Sequence, residues 1–322
     1  MKMGKKNYGA ILLFSAAIFL FPIFTQKQYF LSTMIFIALN AITCMGLVVL
    51  MGYSGQVSLG HAAFVGIGAY TTGILTVRLG WPISVALVMA ICLNLVIAFV
   101  VGSASLRLKG YYLAMATLAF GGIVQMVLMN WTKLTGGTQG LLNIPSISIL
   151  GLKINTDLRF YYLVWMITIA ILWICLNMFH SRLGRAWQAI RNSEVAAEAT
   201  GINIGKYKVL AFMVSALYAS VSGSLFAHYM NFLDPSPYTV MASVWPVLMI
   251  VIGGRCSVWG GIVGAGILSI MHELFQKYLK DFDTLAYGCL LVVILIFMNE
   301  GLVVGLPELF KKVYRKLSNV GG

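Results

Sequence analysis

Acidic side chains are scarce in this sequence, with only nine Asp and Glu among 322 residues. All charged residues together reach 10%, against 60% hydrophobic. That balance excludes an ordinary soluble globular domain and leaves an all-α polytopic membrane protein. Cysteine is scarce too. Cys44, Cys92, Cys175, Cys256 and Cys289 form no C-x-x-C pair, and four of them lie inside apolar runs. They read as small hydrophobes, which excludes a disulfide framework and a thiolate metal site. No G-x-x-x-x-G-K-[S/T] occurs, so the chain lacks the usual loop for cradling a nucleotide. No H-E-x-x-H, no Cys/His cluster and no nucleophile elbow occurs either, so no catalytic or metal-ligating residue is expected.

Charge is also missing at mid-membrane. Ten apolar runs can be drawn at residues 10–24, 29–51, 61–79, 82–106, 111–131, 160–180, 209–230, 238–252, 258–275 and 284–299. A full crossing needs about 17–25 residues, so the first, eighth and tenth are short. Asp, Glu, Lys and Arg are absent from every central stretch, and His228 and His272 sit close to run ends. Carriers driven by protons or ions place such groups near the bilayer centre. A secondary carrier or channel therefore lacks its usual equipment, and an energy source outside the chain fits better. A membrane enzyme acting on lipid-linked substrates would need gathered carboxylates or bases, and none are gathered. His272 and Glu273, the one His–acid neighbour pair, read as a membrane-boundary pair because adjacent helical residues point apart.

What charge there is has a sidedness. The formal net charge is +13. With ten crossings and both termini inside, the inner segments hold most of the Lys and Arg but fewer than half of the acids. The excess is then a topology signal and an attraction to anionic lipid, not a nucleic-acid patch. The basic start at Lys2, Lys5 and Lys6 resembles a signal peptide, but no small-x-small site follows, so an uncleaved first span is expected.

The longest polar interruption is 181–208, framed by Arg182, Arg185, Arg191, Lys206 and Lys208. The positive-inside bias predicts that it faces the cytoplasm. Within it a short helix is predicted, capped by Asn192 or Ser193, with Glu194 in its first turn and Gly201 at its end. Glu194 and Glu198 share a stripe, while Ala197 and Gly201 are expected to offer a close-approach surface. About two helical turns cannot persist alone in water, so this helix needs something to dock against.

Between the second and third runs lies GYSGQVSLGH, with Gly55, Gln56, Ser58 and His61. Its glycines disfavour a continuous helix, and exposed irregular backbone is not tolerated in lipid. Two readings stand: an inside turn with Ser58 capping the next helix, or a lining of the translocation path or its gate. Gly66, Ala69 and Gly73, and later Gly260 and Gly264, form small-residue ridges for helix packing. GYSGQVSLG and GGRCSVWGG enter their helices with a faint internal echo. Residues 132–159 form the largest external loop, a connector or a docking lid, in which ISILGLKI is predicted to make a small hairpin around Gly151. Residues 301–322, with Lys311, Lys312, Arg315 and Lys316, form a cytoplasmic tail.

Taken together, GYSGQVSLGHAAFVGIGAYTTG, AIRNSEVAAEATGINIGKYKVLAFMVSALYASVSGSLFA, LTGGTQGLLNIP and IGGRCSVWGGIVGAG resemble the permease subunit of branched-chain amino acid ABC importers. The TGGTQG loop is similar to the LivM-type half of the pair rather than its LivH-type partner. The resemblance implies a single transmembrane permease domain over 1–322 with the ABC importer permease fold of about ten helices, some short or broken. It implies a multi-pass protein of the bacterial inner membrane and a non-enzymatic transport role for branched-chain or related small amino acids, with urea or short amides as the alternative cargo. The implied partners are a second, LivH-type permease subunit, two ATPase subunits carrying ATP and Mg, an external binding protein and membrane lipid. It also implies that Glu194 to Gly201 is the coupling helix seated on an ATPase, with Arg191, Glu194 and Glu198 giving polar registration and Ala197 and Gly201 close contact. The spacing from Glu194 to Gly201 departs by one position from the general importer pattern.

Overall fold

The computed structural model describes residues 5–278 except 26, 107, 109, 150, 151 and 155, together with Gly288. The tenth run apart from Gly288, the 301–322 tail, Cys289 and the turn of the 147–154 hairpin at Gly151 lie outside the described residues. Helices dominate: α1 (Lys5–Phe24), α2 (Gln28–Leu47), α3 (His61–Arg78), α4 (Ile83–Ser105), α5 (Tyr111–Asn130), the single turn α6 (Thr132–Thr135), α7 (Asp157–His180), α8 (Arg182–Asn192), α9 (Glu194–Ala199), α10 (Ile204–Met230), α11 (Val244–Gly253) and α12 (Val258–Tyr278). Two-residue strands, Ser148–Ile149 and Leu152–Lys153, pair antiparallel with Ser148 opposite Lys153. This is the small hairpin predicted within the 132–159 loop.

Six helical stretches among the described residues are long and apolar enough to cross a membrane. They make this a multi-pass membrane protein, while the ten runs of the sequence translate unevenly. The first run reaches 20 residues only because α1 takes in Lys5 to Gly9. The eighth falls short. It becomes two 3-10 turns and the ten-residue α11, about 15 Å of helix against a hydrocarbon core of about 30 Å. α3 has the length to cross but carries Gly66, Gly68, Thr72, Gly73 and Thr76, so it is less apolar than its neighbours. That composition suits an interior helix.

The core forms around α2 and α10, whose spanning windows are 78% and 72% buried, while α4 and α5 lie outside at 28% and 22%. Small residues set the central crossings. A Cβ on Gly68 would stand 2.6 Å from the Ser220 Cα, and one on Gly223 would stand 2.0 Å from the Val65 carbonyl oxygen. Backbones this close let Thr72 and Ser224 share a hydrogen bond of 2.6 Å between their hydroxyls, the kind of interhelical link that replaces a hydrophobic driving force in lipid. The expected ridges act in packing as well. Gly66 sits under the Tyr238 ring, and Gly260 and Gly264 receive the backbone of α11 at Gly254 and Met249.

Candidate functional site

The predicted break after the second run begins inside the helix. α2 passes into a π-helical turn at Val48–Tyr53, a local widening that often marks functional positions. The chain then runs irregularly to Gly60 before α3 starts. Tyr53 stacks on Phe179 at 3.5 Å between ring centroids. A Cβ on Gly52 would lie 1.9 Å from the Arg255 carbonyl oxygen, so the two glycine-and-serine entries noted in the sequence lie directly against each other.

Ser58 does not cap α3. Gly60 occupies that position without a side-chain bond, and the Ser58 hydroxyl is buried with no hydrogen-bond partner. The reason is geometric: Leu59 donates its N–H to Thr117 Oγ1, and the Ala62 N–H goes to Ser243 Oγ. The start of α3 is thus satisfied from other elements. The His61 ring bonds the Thr43 carbonyl, while its Nε2 is buried without a partner.

The basic interruption 181–208 folds into α8, α9 and the first turn of α10. Ser181 caps α8 by accepting from the Leu183 N–H, and the helix buries Gly184, Ala186, Trp187 and Ile190 on one side. Trp187 Nε1 donates to the Tyr207 carbonyl at 2.8 Å. The six-residue α9 is capped by Ser193, whose Oγ accepts from the Ala196 N–H. Gly201 ends it with φ +82, a left-handed conformation that glycine takes without penalty. Replacing Ser193 with alanine is expected to cost about 1 kcal/mol of local helix stability, read as faster amide exchange at Ala196 to Glu198.

The two predicted stretches, linked by bonds that span 139 and 152 residues, meet in space. Arg191 Nη1 donates to the Gly52 carbonyl at 2.8 Å. Gln56 Nε2 donates to the Lys208 carbonyl at 3.1 Å, and the Lys208 ammonium pairs with Glu194 Oε1 at 2.7 Å. A Cβ on Gly55 would meet Arg191 Cγ at 3.3 Å. Of the predicted residues, Arg191, Glu194, Gly55 and Gln56 therefore form one assembly. Glu198 and Gly201 are exposed at its outer side. Ala197 departs from expectation: it is turned inward and only 2% exposed, because it fills the gap between α9 and the body. Val195, 80% exposed, presents the outward apolar surface instead.

A cavity of about 520 Å³ opens among α2, α3, α10, α11 and α12. None of Gly55, Gln56, Ser58 and His61 lines it, although the next residue, Ala62, does. His272 and Glu273, which the sequence suggested were only a boundary pair, stand in its wall. The signal that could have found this site is on α2. Tyr29, Thr33, Phe36, Asn40 and Thr43 recur every three or four residues and so share one face of an otherwise apolar helix. No group of residues able to hold a metal ion occurs among the described residues.

Comparison with known proteins identifies a family. A family model described as the branched-chain amino acid transport system / permease component matches residues 29–298. The high-affinity branched-chain amino acid transport system permease proteins LivM of Salmonella typhimurium and of Escherichia coli are each 32% identical over 294 residues, covering 84% of this chain and 68% of the relative. The LivH permease protein of Escherichia coli is 30% identical over 150 residues, covering 46% of this chain and 48% of its own. No solved structure matches. With the family model spanning nearly every described helix and the LivM proteins aligned along most of the length, the chain belongs to the family of branched-chain amino acid transport permease components.

Proposed function

We propose that this permease is half of the membrane path of an ATP-driven importer that carries branched-chain or related small amino acids into the cytoplasm. A LivH-type subunit would supply the other half. ATP and Mg would be held by two separate ATPase subunits, and an external binding protein would deliver cargo. In this reading the chain crosses the inner membrane about ten times with both termini in the cytoplasm, and 132–159 faces outward. Segment 181–208 then lies on the cytoplasmic face, where its Lys and Arg are favoured.

The observation that carries the reading is the double link between the α8–α9 corner and the broken end of α2. An exposed six-residue helix has little stability of its own. It becomes mechanically useful when Arg191 and the Glu194–Lys208–Gln56 chain tie it to a helix break. Closure of the ATPases would move α9, and the links would pass that motion to the π turn and the start of α3. Such motion biases the bundle between two states only if the contacts differ between them.

Co-purification with the ATPase subunits, followed by a substrate-stimulated ATPase assay, tests the assignment. Val195→Glu is expected to weaken ATPase binding by about tenfold, because it places a charge in the centre of a small apolar contact. Membrane insertion should be unchanged. Undiminished co-purification of that variant would show that α9 is not the docking element.

A further inference from the structure

The cavity has features that a simple packing defect does not explain. On α12, Ser269 and Glu273 are separated by one helical turn and share a face. Thr33 Oγ1 donates to Glu273 Oε1 at 2.6 Å, and Tyr29 stands beside the same carboxylate. Next to it, Asn40 Nδ2 donates to Ser269 Oγ at 3.2 Å. The remaining wall is mostly apolar and aromatic. Tyr238 contributes its ring, and its hydroxyl is buried with no hydrogen-bond partner.

A half-buried carboxylate in a mostly apolar cavity wall offers a counter-ion to an incoming ammonium group. A buried hydroxyl without a partner also carries a desolvation penalty that an incoming polar group would relieve. The volume lies within the range of small-molecule sites, and the pattern of apolar walls with a few converging polar groups is the usual one for them. The occupant that complements both features carries an ammonium beside an aliphatic chain.

We propose that this cavity is a transit site for the cargo, in which Glu273 pairs with the ligand's ammonium group while the aromatic wall receives its aliphatic side chain. The Asn40–Ser269 pair, one turn along α12, would face the ligand's carboxylate. The cargo identity rests on the importer reading above, but the site itself is independent of ATP coupling.

The test uses the full chain in nanodiscs and, separately, the assembled importer in proteoliposomes. Thermal stabilisation by isoamylamine, which keeps the ammonium, is compared with that by 4-methylpentanoate, which keeps only the carboxylate. The expected result is stabilisation by the amine over the acid, lost in Glu273→Gln and largely retained in Glu273→Asp. In proteoliposomes, Glu273→Gln should lower leucine uptake by at least about tenfold, with insertion unchanged. Amine stabilisation that persists in Glu273→Gln overturns the site, as does a wild-type chain indifferent to the amine. A chain that binds the amine through Glu273 yet shows no ATP-dependent uptake keeps the site and overturns the importer reading instead.

Discussion

Gly223→Val is expected to remove nearly all monodisperse protein from detergent extracts. The new Cβ would stand 2.0 Å from the Val65 carbonyl oxygen, 2.8 Å from its carbon and 3.1 Å from the Ala69 nitrogen. All three are backbone atoms of α3, so no side-chain rotation makes room. α3 and α10 would have to separate, and the Thr72–Ser224 and Ser224–Gly68 hydrogen bonds would go with them. Close-packed helices forced apart lose their dispersion contacts over the whole crossing. The cost should exceed about 4 kcal/mol, in the tail of single-substitution effects. Gly122→Ala in α5 is the matched control, because its Cβ would meet only Val240 Cγ2 at 3.9 Å. Size-exclusion profiles of the two variants, extracted side by side, decide the matter. A normal yield of Gly223→Val would mean that α3 and α10 do not cross where the structure places them.

That crossing was half legible in the sequence. The ridge of Gly66, Ala69 and Gly73 pointed to close packing on α3, but the tightest approach involves Gly68 and Gly223. Nothing in local spacing identifies the partner of a given glycine across more than 150 residues. Long apolar runs read well, since hydrophobic length is a strong constraint in lipid. Short runs read poorly. Gly253 and Gly254 stop α11 after ten residues, and the turn at Gly254, with φ +117, lets α12 fold back onto it. Counting hydrophobic residues cannot distinguish a half-length helix from a crossing with frayed ends.

The site shows the same division. Ser193 as a cap and Gly201 as a terminator follow from local chemistry, and both stand where that chemistry puts them. Ala197 was misread because small size suits either a close contact with a partner or a tight fit against the chain's own body. Here the Glu194–Lys208 pair fixes the rotation of α9 and turns Ala197 inward. Of the two readings of the Ser58 stretch, the capping one fails because Thr117 and Ser243, from distant elements, satisfy the N–H groups around the start of α3. Glu273 was discounted for lying at a span end. Its contact with Thr33 from α2 is a pairing that no local pattern announces.

Arg191→Ala is expected to lower ATP-dependent uptake by about 100-fold while ATP hydrolysis continues, the size of effect that loss of about 3 kcal/mol of coupling produces. Gly52 lies at the end of the π turn, and Arg191 donates to its carbonyl across 2.8 Å. Gly55, at φ +73, leaves room for the arginine stem beside it. The second link runs from Glu194 through Lys208 to Gln56. Its ion pair is worth more than the ~0–1 kcal/mol of a surface pair, since the Lys208 side chain is 10% exposed. It falls below the ~3–5 kcal/mol that breaking a fully buried pair costs, since Glu194 remains 34% exposed. The two links act in parallel on one loop, so Arg191→Ala combined with Gln56→Ala should cost more than the sum of the single changes. Arg191→Lys keeps the charge with a less pre-organised donor, and should fall between wild type and alanine. The informative quantity is the ratio of amino acid moved to ATP hydrolysed. If Arg191→Ala lowered both in proportion, the residue would serve docking alone; if it lowered neither, α9 would not drive the helix break.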